Sequence, residues 1–457
     1  MKAHRAFLIG LLALLLASGS VFAQSKLRAG AAKVDITQES DLMVSTDVIR
    51  DRLFARAIVV DDGSTCAVLV GLDLSGVHDA TLQDAIAKAS AATGCPIENI
   101  VVSATHTHSS SAKTLDVSAE NFAPVAAAIV SAVQTAKSRL APARIGYGVT
   151  KVDLNVNRDQ YTAERGWRQA ANPDGPSDKT LAVVGFMGAD GTPIAVYMNY
   201  AMHPINFYLT GAISADFPGE ASRYIERFFD DRTVAVFTQG ASGDQNPELR
   251  AGGLGGGNGP GNVQTATSPR GFNAAAAATS RQPVSPENLS AYRLRLARIG
   301  ELVTMEGTLI GAKTVDILRD GTFTDTARIW GGQEKVSCPG RDRLDAANPV
   351  RENALPDYKD GADVNLKIGL LRIGDINFAT VNGEVYSKIS MRLKAEAPAA
   401  KLILVALANG RANSGYIYND DAFNHLSFQV IGSRLKPGCA EGKIVGTALE
   451  LMHRSGE

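Results

Sequence analysis

Cysteine is scarce in this 457-residue chain: Cys66, Cys95, Cys338 and Cys439 are all it has, and no two form a CxxC pair. That spacing does not suit a zinc knuckle. In an oxidising compartment the four could close up to two disulfides, in any of three pairings, or remain buried thiols. Excess charge is lacking too. With 46 basic and 47 acidic residues the net charge is −1, so no overall field draws nucleic acid. Beyond the first two dozen residues there is no apolar run long enough to cross a bilayer. No internal repeat occurs. The glycine-rich stretch GGLGGGNGPGN at 252–262 lacks the Gly-Lys-Ser/Thr ending of a phosphate-binding loop.

What is present begins with a basic start at Lys2 and Arg5, an apolar run over 7–17, and the small-x-small triplet Val21-Phe22-Ala23. This is the layout of a secretory signal peptide over 1–23. The expected mature chain, 24–457, is secreted or periplasmic.

Apolar, β-branched runs at 53–60 and 66–74 flank Asp61-Asp62-Gly63-Ser64 and predict a hairpin. Helical spacing over 79–93 stops at Gly94. A strand is expected at 99–104 and an alanine-rich helix at 121–140. Further strands are expected at 181–187, 194–199, 234–238, 366–373, 376–381 and 402–408. Helices are expected from Pro218 to Phe229, over 289–313 and over 387–396. Segment 251–283 shows no hydrophobic period and reads as an irregular, mobile stretch. The order predicts an α/β fold: a layered mixed-sheet core with flanking helices and a site at the strand ends.

Four expected strands run into residues that a core would not use. The strand before SATHTHSS ends in His106 and His108; if it continues through them, their side chains point to one face. The run 197–200 leads to His203, which Pro204 biases toward extended geometry. The run 376–381 leads through Asn382-Gly383 to Glu384, with Gly383 expected to permit a tight bend. The run 402–408 leads through Asn409 to a glycine-containing loop bearing tyrosines, Ser414-Gly415-Tyr416-Ile417-Tyr418. Singly, each has a bland explanation as a turn or surface residue. Together, imidazoles, a carboxylate and a phenol at strand ends suit zinc with one position kept for water, and a histidine off the metal would handle protons.

These residues resemble the N-terminal catalytic domain of the neutral/alkaline, non-lysosomal ceramidases. The matching pieces are 104–109 (ATHTHS), 154–158 (LNVNR), 199–204, Gly243-Asp244 with Pro247, Gly383-Glu384 and Ser414-Gly415-Tyr416, in family order. The resemblance implies hydrolysis of an N-acyl amide dependent on one zinc per chain. By it, His106, His203, Glu384 and Tyr416 are the zinc ligands and His108 is the general acid/base. Arg158 binds substrate or stabilises the oxyanion, with a structural ion pair as its alternative role. A lipid amide substrate implies peripheral membrane contact.

The chain departs from the pattern in places. Asn246 stands where family members often carry serine, which rules out a serine mechanism there. A second family tyrosine falls in a region holding Phe423 and Phe428, so its hydrogen bond is expected to be missing. An immunoglobulin-like C-terminal domain is not expected within 24–457. Segment 203–216 also differs and is expected to reshape the pocket. Two alternatives stay open. The same zinc site could act on another N-acyl amide or a small ester, or the chain could be a non-catalytic secreted binding protein. The spare imidazole of His108 argues against the latter.

Overall fold

Along β3 (Phe54–Asp61), β4 (Cys66–Leu72) and β5 (Ile100–Ala104), successive side chains enter two different cores. Ala57, Val59, Val68, Val70 and Val102 face one; Ile58, Val60, Leu69 and Val101 face the other. A period of two with both faces apolar marks strands covered on both sides. The structure, a computed structural model, describes residues 27–77, 79–110, 119–249, 282–398 and 400–456. The expected signal peptide at 1–23 and the glycine-rich stretch at 252–262 lie outside the described residues.

Those three strands join β1 (Arg28–Asp35), β6 (Ala141–Lys151), β9 (Thr180–Gly188), β10 (Pro193–Tyr200) and β12 (Val234–Gln239) in one sheet. Its eight strands run β12-β10-β9-β6-β1-β3-β4-β5. The β10–β12 and β4–β5 pairs are parallel and the others antiparallel. A second sheet of four strands runs β14 (Ile329–Arg343), β15 (Tyr358–Ile373), β16 (Ile376–Val381) and β18 (Lys401–Val405), with β16–β18 parallel. Short pieces complete the set. Strands β13 (Gln245–Pro247), β7 (Asn155–Thr162) and β8 (Gly166–Asn172) form a ribbon. Strand β17 (Glu384–Val385) pairs with β19 (Tyr416–Ile417), and β2 (Val48–Ile49) with β11 (Ala212–Ile213).

The two large sheets face each other across a core that includes Leu69, Val101, Tyr197, Phe378, Ile403 and Val405. Tyr197 and Phe378 meet edge to face there at 5.2 Å. Helices Asp79–Thr93, Ala119–Ser138, Asp216–Phe228 and Leu289–Asp320 cover the outer face of the eight-stranded sheet. Helices Ser387–Glu396 and Ala440–Arg454 cover the outer face of the four-stranded one. The layering is helix, sheet, sheet, helix, and the expected α/β class holds. Helix 79–93 and helix 387–396 have the expected bounds, whereas the helix begun at Leu289 runs on to Asp320. Among the described residues no helix is long and apolar enough to cross a membrane.

The cysteines pair as Cys66–Cys95 and Cys338–Cys439. The first ties β4 to the segment after helix Asp79–Thr93, and the second ties β14 to the start of the last helix. Replacing Cys338 and Cys439 together by serine opens a cross-link of sequence separation 101. Loop-closure entropy puts the expected loss at about 4.7 kcal/mol, read as a lower urea midpoint. A midpoint within error of wild type would show that the cross-link does not hold the outer helix.

Candidate metal centre

The polar residues singled out above follow β5, β10, β16 and β18 in the chain, and the side chains of His106, His203 and Glu384 meet just beyond those strand ends. Ligand sites favour such strand ends. A bridge between Ser103 and Ala408 joins the sheets there. Asn409 adds three bonds to the backbone of β5: its N–H to Val102 O, its Nδ2 to Ile100 O, and its Oδ1 from Val102 N–H.

The expectation that β5 continues through both histidines is corrected. It stops at Ala104, and His106 takes a left-handed backbone with φ +69°. His106 N–H bonds Leu74 O, and His108 N–H bonds Pro204 O. These tertiary bonds, rather than strand pleating, turn the rings together, with centroids 4.6 Å apart. The reason expected for Gly383 also changes. It shows no positive φ; a β-carbon there would stand 2.6 Å from Ile417 Cδ1. Its smallness lets β17 lie beside β19, where Glu384 and Tyr416 are direct parallel partners.

His106 Nδ1 lies 2.6 Å from Ser75 O, and His203 Nδ1 lies 2.7 Å from Ser242 O. A carbonyl oxygen only accepts, so each Nδ1 carries the proton and each Nε2 bears a lone pair. Those two Nε2 atoms are 3.2 Å apart. Glu384 Oε2 is 3.2 Å from one and 3.5 Å from the other, and it is buried with no hydrogen bond. His108 Nε2 is 3.3 Å from His106 Nε2. Lone pairs facing one another in a buried space repel unless a cation lies among them. Donors about 2.0–2.1 Å from a tetrahedral ion stand about 3.3 Å from each other. The donor set thus fits a metal ion, and the group His106, His108 and His203 can hold one.

Burial, with the charge of Arg158 beside it, pushes the His203 imidazole down to about 3. Burial and the neighbouring His106 and His203 push His108 well below its ordinary value. Both rings are therefore neutral near pH 7, as metal binding requires. Burial and the Glu384 carboxylate raise the Tyr416 phenol above its ordinary value. His106 and His203 are buried, whereas His108, Glu384 and Tyr416 are half-buried and form the open side.

Arg158 crosses from β7 into this space. Its Nη2 and Nε donate to Gly243 O at 2.6 and 3.1 Å, and its Nη1 donates to Asn246 Oδ1 at 3.3 Å. Its guanidinium lies 5.2 Å from the Tyr416 ring centre. Among the described residues it makes no ion pair with a carboxylate, so the structural ion pair considered for it is not found. Asn246 itself lies on β13 opposite Val156. Phe428 packs edge-on to Tyr416 at 6.3 Å and brings no donor. Asp244 accepts from Ser387 N–H and Oγ–H at 2.8 and 2.9 Å, tying its loop to the helix that follows Glu384; burial raises its carboxyl to about 6. The sequence carried no sign of the carbonyls of Ser75 and Ser242, because any residue supplies a carbonyl. Nor did it mark Tyr208, whose ring meets His108 edge to face at 5.2 Å.

The family described as neutral/alkaline non-lysosomal ceramidase, N-terminal, matches residues 31–285. The chain belongs to this family. A neutral ceramidase of Pseudomonas aeruginosa is 28% identical over 251 residues, which is 49% of this chain and 37% of that relative. The match thus spans little more than a third of that relative's length. The crystal structure of neutral ceramidase from Pseudomonas aeruginosa superposes with a TM-score of 0.67 and 18% identity, over 94% of this chain and 75% of that one. A ceramidase complexed with C2 gives 0.67 and 17%, over 94% and 76%. Both likenesses establish the ceramidase fold.

Proposed function

We propose that this ceramidase-family chain is a zinc-dependent amidohydrolase. It cleaves the amide of ceramide-like N-acyl lipids to a free fatty acid and a sphingoid base. The observation that carries the reading is the convergence of the proton-free Nε2 atoms of His106 and His203 on the unbonded Glu384 Oε2. Family membership and the neutral ceramidase relative support the substrate class.

In this reading His106, His203, Glu384 and Tyr416 hold one zinc. Zinc so held supplies Lewis-acid polarisation of the scissile carbonyl and a lower pKa for water. His108, on the open side and neutral at pH 7, accepts the proton from attacking water as the oxygen bonds to the carbonyl carbon. It then returns that proton to the nitrogen as the C–N bond breaks. Arg158, a buried cation with no carboxylate partner among the described residues, faces the negative charge that develops on the carbonyl oxygen. Asn246 has no hydroxyl to act as a nucleophile. The two disulfides suit an oxidising compartment, which supports a secreted or periplasmic chain; peripheral contact with lipid follows from the proposed lipid substrate.

Zinc stoichiometry measured alongside sphingosine release from ceramide tests the reading, with N-acyl amino acids as competing substrates. One zinc per chain and sphingosine release are expected. Full turnover by metal-free protein would overturn the zinc assignment. Cleavage of N-acyl amino acids without ceramide turnover would overturn the lipid assignment.

A further inference from the structure

Two of the three clustered imidazoles are locked by carbonyls, at Ser75 and Ser242. His108 is not: among the described residues its hydrogen-bonding contact is Nε2 to His106 Nε2 at 3.3 Å. An imidazole without a carbonyl or carboxylate on Nδ1 keeps rotational freedom about its side-chain bonds. Among the described residues, what faces its ring from outside the histidine cluster is Tyr208, edge to face at 5.2 Å with the planes at 88°.

The segment bearing Tyr208 is firmly placed. Thr107 Oγ1 donates to Ser214 O at 2.7 Å, Ser214 N–H to Ser109 O at 2.9 Å, and His108 N–H to Pro204 O at 3.1 Å. The turn itself is closed by Asp216, which is fully buried with φ +55° at the start of helix Asp216–Phe228. Its Oδ2 accepts from the N–H groups of Asn206 and Phe207 at 2.9 and 3.3 Å. Asn206 Nδ2 donates at 2.8 Å to both Asp216 Oδ1 and Glu306 Oε2, the latter from helix Leu289–Asp320. The turn is thus pinned to two helices and to the histidine segment, with Tyr208 on its inner side.

We propose that Tyr208 is the positioning residue for His108: its ring sets the direction of the imidazole that passes the proton to the leaving amine. This rests on the reading of His108 as the proton carrier. The role belongs to the aromatic ring and not to the phenol, since it is the ring that meets His108.

The test uses leaving groups. An alkylamine leaves only with a proton, whereas p-nitrophenolate leaves without one. The zinc-loaded full chain is assayed on a short-chain ceramide in detergent and on the p-nitrophenyl ester of the same acyl group. Tyr208→Ala is expected to lower kcat on the amide about 10²-fold, the scale of a misplaced catalytic group. The ester rate should fall much less than the amide rate, because the ester needs His108 only to take the proton from water and not to protonate the leaving group. KM and zinc content should stay near wild type, and Tyr208→Phe should restore both rates. Tyr208→Leu, which keeps apolar bulk if alanine unfolds the turn, should show the same split as alanine. Equal losses on amide and ester, no loss on either, or a phenylalanine variant as impaired as alanine would overturn the proposal. His108→Ala is the control. If it shows no amide–ester split, the proton-carrier reading fails and the role of Tyr208 fails with it. If it shows the split and the Tyr208→Ala and Tyr208→Leu variants do not, only the role of Tyr208 fails.

Discussion

His106→Ala is expected to fold, to lose its zinc and to have no measurable amidase activity. The substitution removes the one atom within 3.3 Å of three other site atoms: His203 Nε2, His108 Nε2 and Glu384 Oε2. Losing even an outer partner of a metal ligand costs about 10–100-fold in affinity, so losing this central donor should cost more than about 10²-fold. The folding consequence follows from linkage. Zinc that binds the native state raises its melting temperature with concentration, and the wild type should show that rise. The variant should not, and its metal-free form should melt close to metal-free wild type, because the lone-pair repulsion has been relieved where the ring was lost. Thermal melts with and without zinc, beside elemental analysis, check both halves. Retention of one tightly bound zinc by the variant would remove His106 from the ligand set.

His108→Ala is expected to behave differently: zinc kept, KM little changed, kcat lower by about 10²–10⁴-fold, the range of general acid–base catalysis. The two histidines are one residue apart and their Nε2 atoms nearly touch, so the contrast between the variants carries the information. The physical ground for the division lies in the second nitrogen of each ring. His106 Nδ1 is held by Ser75 O, which commits its Nε2 to donating a lone pair. His108 has no such anchor among the described residues and sits on the half-buried side of the cluster, where a substrate amine can reach it. If His108→Ala loses zinc as completely as His106→Ala, His108 is itself a ligand and the proton carrier must be sought elsewhere.

The strands of the core were legible wherever apolar, β-branched residues run without interruption, as in β3, β4, β5 and β16. Helix Asp79–Thr93 was legible from its spacing and from Gly94, which has φ +74° just after it. Strand β6 was not legible. Pro142, Gly146 and Gly148 read locally as breakers, yet the glycines serve packing: a β-carbon at Gly146 would stand 2.6 Å from Phe323, and one at Gly148 2.5 Å from Ile317. The first half of β15 was hidden for another reason. Lys359, Asp360 and Asp363 point into solvent along a ribbon that extends past the core, where no apolar period is required.

By itself the sequence determined which residue types stand at the strand ends, and hence an α/β layering with His106, His108, His203, Glu384 and Tyr416 as one candidate site. Those signals are local, because a strand's period and the polar residue that ends it are written within about ten positions. Only the tertiary structure decided the rest: the disulfide pairing, the left-handed turn at His106, the carbonyls of Ser75 and Ser242 that set the ring tautomers, and the ring of Tyr208 beside His108. Each of these depends on atoms brought together from distant parts of the chain. Backbone carbonyls, and an aromatic ring in an unremarkable turn, carry no residue-level signature of the partner they will meet.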